Sequence, residues 1–262
     1  MSERHVCWLI GLNRSTLRYR PHPAAQNAAI RVRLQDLARL WPRFGYRRLH
    51  ALLRREGHRV NHKRIYRLYR EEGLMLRRRR RRKWVRSGAG PKEVPVGPNE
   101  RWSLDFVSDA AANGQTIRVL AVVDDYTREC LALEVDTSLP GARVVRTLNQ
   151  IMQQRGRPSG IVLDNGPELR GRAMQGWSEQ ERVPLLFIDP GKPVQNALVE
   201  SFNGRMRDEC LNANWFLNIA DARRCIQAWA KEYNELRPHS SLDYRTPAEF
   251  ATRAAATLRL SG

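Results

Sequence analysis

Paired cysteines are missing from this chain. Cys7, Cys130, Cys210 and Cys225 lie far apart and make no CxxC motif, so neither a disulfide framework nor a zinc knuckle is expected, and the thiols read as reduced. His58 and His62 stand one helical turn apart, but with no cysteine pair in register they read as surface histidines. There is also no run of about 18 apolar residues, and the N-terminus shows no signal-peptide pattern. No membrane partner and a cytoplasmic location are therefore expected. Acidic residues are scarce as well, but only in one place. Residues 1–90 hold 25 Lys+Arg against 5 Asp+Glu, whereas residues 91–262 hold 21 against 22, so the whole formal excess of +19 lies in the first third.

A segment so poor in acid calls for a polyanion, because each Lys or Arg that neutralises a phosphate releases condensed counterions. Duplex DNA is the expected partner. Residues 1–28 read as a short helical segment, a clipped helix-turn-helix with Asn13 as a cap. Residues 29–86 then show apolar residues at helical spacing: Ile30, Leu34, Leu37 and Leu40, next Leu49, Leu52 and Leu53, and after Asn61 the set Ile65, Leu68 and Tyr69. Helix, turn and basic helix suggest a helix-turn-helix that offers Lys63, Arg64, Arg67 and Arg70 to DNA. The run Arg77 to Lys83, including Arg78, Arg79 and Arg80, consists of adjacent cations that repel one another, and it is expected to lie along DNA. A Pro/Gly-rich linker over 87–99 follows.

The remainder, 100–262, has a different character. With 42% hydrophobic residues in the whole chain there is enough apolar surface for a core. The stretches WSLDFV, IRVLAVVDD and CLALEV predict three strands in an antiparallel meander. A helix over 142–155, a strand at Ile161–Leu163, a helix around Met174–Gln180, a strand PLLFI and a long helix from about Val194 to Leu211 come next. Strands followed by alternating helices and strands predict a mixed sheet covered by helices, an α/β domain, with a helical extension at its C-terminus.

Within this pattern three acids are misplaced. Asp105 interrupts an apolar strand and Asp164 ends another, and a buried carboxylate is costly unless paired, hydrogen-bonded or bound to a cation. On the helix, Asn196, Glu200, Asn203 and Arg207 fall on one stripe, while Leu198, Val199, Phe202 and Met206 lie opposite. Asp124 and Asp125 read as shaping the turn after the second strand, Glu168 as a loop acid, and His239 as an organiser of the C-terminal segment.

Asp105, Asp164 and Glu200 resemble the acidic triad of retroviral-integrase-like transposases, whose catalytic domain has the ribonuclease-H fold. The blocks WSLDFVSD, VVDDYTRECLALEVDTSLPG, VLDNGPEL, PGKPVQNALVESFNGRMRDECLN and YNELRPHSSLDYRTPAEF are similar to those of the B-frame transposase of the insertion-sequence-three family of bacterial mobile elements. The resemblance spans roughly residues 30–250. Leu169, where an aromatic is usual, and Asp189, where a base is common, depart from it.

The resemblance implies a mixed five-stranded ribonuclease-H-like sheet flanked by helices and preceded by a small all-α region. It implies two Mg²⁺ or Mn²⁺ ions, with Asp105 bridging both, Asp164 binding one and Glu200 the other. It further implies DNA cleavage at element ends and joining of the freed 3′-hydroxyl to a second phosphodiester. Lys192, Asn203 and Arg207 are assigned to phosphates of the element end. The partners implied are terminal-repeat and target DNA, further copies of the chain on that DNA, and the upstream-frame protein of the same element, in a bacterial, nucleoid-associated setting. Two other readings stand beside this one: a non-catalytic DNA-binding regulator, for which the basic third suffices, and a ribonuclease-H-like nuclease or resolvase that cuts without joining.

Overall fold

The computed structural model describes residues 2–19, 25–76, 95–189 and 193–261, apart from the side chains of 25, 26, 193, 194 and 258–261. The basic run from Arg77, with Arg78, Arg79 and Arg80, and also Lys192 lie outside the described residues. The chain divides into two compact units, Met1–Arg77 and Arg78–Gly262.

The first unit is helical. Helix α1 (Glu3–Leu9) and α2 (Arg14–Leu17) are separated by Gly11, whose φ of 63° lies in the left-handed region that glycine adopts at least cost. Asn13 caps α2, its side-chain oxygen accepting from Ser15 N–H at 3.1 Å. Next come α3 (Ala25–Leu40), α4 (Tyr46–Arg55) and α5 (His62–Glu71). The strong helix former alanine recurs in the first turns of α3, which lets it begin ahead of its apolar stripe. Asn61 caps α5 by accepting from Lys63 N–H at 2.9 Å. Ile30, Leu34, Leu37, Leu49, Leu53, Ile65 and Leu68 interlock as the core. Arg33 reaches Glu56 with both arms of its guanidinium, and Arg31 ties α3 to Glu71 and Glu72.

In the second unit, β1 (Trp102–Ala110), β2 (Thr116–Asp124) and β3 (Cys130–Asp136) form the antiparallel meander, with Asp105 opposite Ala121. Helix α6 (Gly141–Arg155) crosses over to β4 (Ile161–Leu163), which pairs parallel to β1. Helices α7 (Pro167–Arg170) and α8 (Arg172–Glu181) lead to β5 (Leu185–Phe187), parallel to β4. The sheet order is β3-β2-β1-β4-β5. A one-turn 3-10 segment, Pro193–Asn196, enters α9 (Ala197–Glu209), and α10 (Ile219–Glu235) and α11 (Pro247–Ser261) follow. Among the described residues no helix is long and apolar enough to cross a membrane.

Two local expectations are corrected. The single long helix from about Val194 is a 3-10 turn followed by a shorter α-helix, because the segment opens on Pro193. Glu168 is no loop acid but sits in the first turn of α7, where Pro167 occupies the helix start that tolerates it best.

Because β1 is central, its alternate residues serve two cores. Trp102 and Leu104 pack with α6 and α8 residues such as Leu148 and Trp177. Val107 packs with Val199, Phe202 and Met206 of α9 and with Ile226 and Trp229 of α10. Side chains alternate along a strand, so Asp105 shares the Val107 face and is directed to the α9 side.

Candidate active site

Strand pairing brings the first two acids level. Trp102 is opposite Ile161 and Ser103 opposite Val162 in the parallel ladder. Continued by two residues, that register sets Asp105 against Asp164 on neighbouring strands, which run roughly 4.8 Å apart. Leu163 is fully buried and anchors β4, and the chain turns immediately after it. Asp164 Oδ1 accepts from Gly166 N–H at 2.9 Å, an Asx-type turn, while Asn165 Nδ2 donates to Ile188 O at 2.9 Å. A Cβ on Gly166 would stand 3.0 Å from Asp164 Oδ1. Glycine at that position thus keeps the carboxylate from being crowded.

Helix α9 supplies the third acid. Asn196 Nδ2 donates to Leu104 O at 3.2 Å, and Asn203 Nδ2 donates to Asp105 Oδ2 at 2.8 Å. Glu200 lies between these two anchors, one turn from each, and both anchors grip consecutive residues of β1. Arg207 carries the line further, donating to Ser108 O at 3.2 Å. The polar stripe of α9 is therefore not turned to solvent as its amphipathic pattern suggests. Asn196 and Asn203 are buried against β1, and Glu200 alone of the acid and two amides is exposed.

The electrostatics agree with acids gathered in one place. Burial pushes the Asp105 carboxyl above the usual range, and the nearby charge of Asp164 pushes the same way, against the hydrogen bonds from Asn203 and Phe106 N–H. Burial also raises Glu200, and the charge of Asp105 adds to it. The Oδ1 atoms of Asn165, Asn196 and Asn203 are buried without a hydrogen-bond partner among the described residues. Oxygen donors of this kind suit a hard divalent cation and not a soft one. As the side chains stand, no three Asp, Glu, His or Cys among the described residues form a closed metal cage. Asp105 is engaged by Asn203 and Phe106, and Asp164 by its own turn.

Other residues take structural places. Asp124 Oδ1 accepts from the N–H groups of Tyr126 and Thr127, and its Oδ2 from Asn99 N–H. Asp125 is held by Arg101 and Ser103. His239 is buried, edge-on to Tyr233, with Nδ1 2.8 Å from Arg237 O. Leu169 fills the core and Asp189 pairs with Gln195, so both departures from the family pattern are accommodated inside the fold. The Arg118–Glu168 ion pair, with Arg118 stacked on Phe106, has only one trace in the sequence, an acid in the first turn after Pro167. On α5, Lys63, Arg67 and Arg70 are exposed, while Arg64 is half-buried and donates to Asn27 Oδ1 at 2.9 Å.

Comparisons with known proteins follow the same division. An HTH-like domain matches residues 27–82, and integrase core domains match residues 95–193 and 181–247. The insertion element IS407 31.7 kDa protein of Burkholderia multivorans is 50% identical, covering 98% of this chain and 93% of its own. The chain belongs to the insertion-sequence-three family of transposases. A second member, the insertion element IS476 39.2 kDa protein of Xanthomonas euvesicatoria, is 48% identical over 96% of this transposase and 72% of its own length. The putative transposase InsK for IS150 of Escherichia coli is 27% identical over 79% and 77%. Among solved structures, a simian T-cell lymphotropic virus intasome in complex with PP2A regulatory subunit B56 gamma shares the fold, with a TM-score of 0.56 at 17% identity, covering 83% of this chain and 74% of that one. The transposase thus has an integrase-core, ribonuclease-H-like α/β fold preceded by a helical HTH-like region.

Proposed function

We propose that this transposase cleaves insertion-sequence ends and joins the freed 3′-hydroxyl to a second phosphodiester, with Asp105, Asp164 and Glu200 as its catalytic carboxylates. The observation that supports this most directly is the convergence on one end of β1. The β1–β4 register aligns Asp105 with Asp164, and α9 is fastened to Leu104 and Asp105 on either side of Glu200. In this reading the helical region over 29–86 docks duplex DNA through Lys63, Arg64, Arg67 and Arg70, and 100–262 performs the chemistry. Further copies of the chain assemble on the same DNA.

The three carboxylates are the residues that would hold two Mg²⁺ or Mn²⁺ ions. When bound, such a pair activates the attacking oxygen on one side of the phosphorus and stabilises the leaving oxygen on the other. Asn203 orients Asp105 through its amide N–H, and its amide oxygen is buried without a hydrogen-bond partner among the described residues. The turn at Asn165 and Gly166 carries the chain away from Asp164 and leaves room for a DNA strand. Of the two α9 residues expected at phosphates, exposed Arg207 is the one offered to DNA, whereas Asn203 is buried and engaged with Asp105.

The raised carboxyls fix the sign of a pH effect. A proton remains on Asp105 and Glu200 to higher pH than on ordinary acids, and it must leave before a cation binds. Affinity for Mn²⁺, measured by calorimetry, is expected to fall as pH is lowered into the raised range of these two carboxyls, and to begin falling at higher pH than ordinary acids would require. An affinity that does not fall on acidification counts against these acids as ligands.

The deciding experiment incubates the full chain with candidate element-end DNA and Mn²⁺ and maps every cut and junction to the nucleotide. Nicking at one end position followed by 3′-end joining is expected. Cutting without joining would instead indicate a nuclease or resolvase, and binding without cutting a regulator.

A further inference from the structure

The exposed side of α5 carries one residue that is not a cation. Lys63, Tyr66, Arg67 and Arg70 recur at intervals of three and four and share one stripe of the helix, while Ile65, Leu68 and Tyr69 face the core. All four stripe residues are exposed. Arg64 stands off the row, half-buried, with its guanidinium on Asn27. Exposure alone would say little about Tyr66, since single apolar side chains are common on surfaces. What sets it apart is that it is held.

Tyr46, the first residue of α4, lies against Tyr66 with ring centroids 4.8 Å apart, and it meets Tyr69 at 6.3 Å. The rings thus lead from buried Tyr69 through half-buried Tyr46 to exposed Tyr66, so the outermost one is anchored from the core. Cations add to the hold. The Arg70 guanidinium carbon stands over the Tyr66 ring at 5.9 Å, and that of Arg47 over the Tyr46 ring at 5.5 Å. A tyrosine has few rotatable bonds, so fixing it costs little entropy. Arg67 is placed differently: its pairing with Glu71 at 3.6 Å is exposed on both sides and restrains it little. Long solvated cations can follow a phosphate wherever the backbone runs, whereas a fixed ring can tell one base from another.

We infer that Tyr66 is a base-reading residue of the helical unit, with Tyr46 as its positioning residue, and that the base it selects is thymine. The inference rests on the reading that this unit docks duplex DNA through α5, and not on the metal chemistry. Placed midway along the row, the ring meets the groove where cations on either side take phosphates. The C5-methyl of thymine is the apolar group that the major groove displays, and an aromatic ring is a fitting neighbour for it. Phosphate contacts are alike for every sequence, so the ring adds a preference that the cations on phosphates cannot supply.

The test uses the full chain and a pool of random-sequence duplexes, from which the bound molecules are recovered and sequenced. The parent is expected to select a site with at least one fixed thymine. Tyr66→Ala should lose the preference at that thymine, by roughly tenfold in relative affinity, and keep its other selected positions. Its salt dependence should not change, since a tyrosine releases no counterions. Tyr66→Phe should retain the preference, because the ring and not the hydroxyl meets the methyl. Tyr46→Ala should weaken the preference and Tyr46→Phe restore it, a change in base choice that lost stability alone does not produce. The exposed position should let Tyr66→Ala fold, which circular dichroism checks, and if it unfolds, Tyr66→Gln, a better helix former than tyrosine, takes its place. On the DNA side, deoxyuridine in place of the thymine removes only the methyl and should cost the parent as much as Tyr66→Ala does. A parent that binds no duplex overturns the docking reading and this inference with it. A parent that binds without selecting, a Tyr66→Ala chain that selects the same site, or a loss of affinity equal for all sequences overturns the inference alone. Deoxyuridine bound as tightly as thymidine overturns the assignment to the methyl.

Discussion

Replacing Asp164 with alanine is expected to eliminate metal-dependent nicking and joining while leaving duplex binding at the parent level. The loss expected is at least about 10³-fold, or roughly 4 kcal/mol of transition-state stabilisation. The fold has little stake in this side chain. Among the described residues its side chain bonds only to Gly166 N–H, within its own turn, and Leu163 beside it retains its place in the core. Removing its charge also removes one of the influences that raise Asp105, so the Asp105 carboxyl should titrate nearer its ordinary range. Quantitative nicking of labelled end DNA, run beside a mobility-shift assay on the same preparations, checks both halves of the expectation. Equal nicking by variant and parent would remove Asp164 from the proposed site.

Phe202→Ala should have the largest effect on stability, a loss of about 3–5 kcal/mol. Phe202 is 1% exposed, edge-on to Tyr233 at 4.8 Å and tilted against Trp229 at 5.5 Å. It is the apolar peg of α9, placed between Glu200 and Asn203 in the sequence, so a cavity there frees the helix that holds both. In denaturant the midpoint should fall with the slope little changed, and Phe202→Leu should recover most of the loss. At temperatures where the variant remains folded, its nicking rate should fall further than its DNA affinity, since α9 positions chemistry. A loss below about 1 kcal/mol would mean that the α9–α10 seam is not the buried core that its packing describes.

Much of this architecture is written in short-range patterns. Asn13 and Asn61 announce the starts of α2 and α5 because capping is a matter of two or three residues. The meander is visible in three apolar runs, and Asp105 and Asp164 stand out because each breaks or ends one. The polar stripe of α9 is equally visible, yet its meaning is reversed on folding. Period alone suggests a solvent-facing row, whereas Asn196 and Asn203 are inward anchors to residues some ninety positions away in the chain, Leu104 and Asp105. The bond of Arg118 to Glu168 is hidden for the same reason.

By itself the sequence determined where the charge lies, which segments become helix or strand, and which acids sit where an apolar strand should not hold them. These follow from local propensity, from the alternation of apolar residues and from like-charge repulsion, all of which act between near neighbours. Only the tertiary structure decided that Asp105 stands level with Asp164 and that α9 is fastened to β1 on both sides of Glu200. Those outcomes depend on the pairing of β1 with β4 and on the packing of α9 across the sheet. Contacts between distant segments are selected by the energy of the whole core, and no window of sequence contains it.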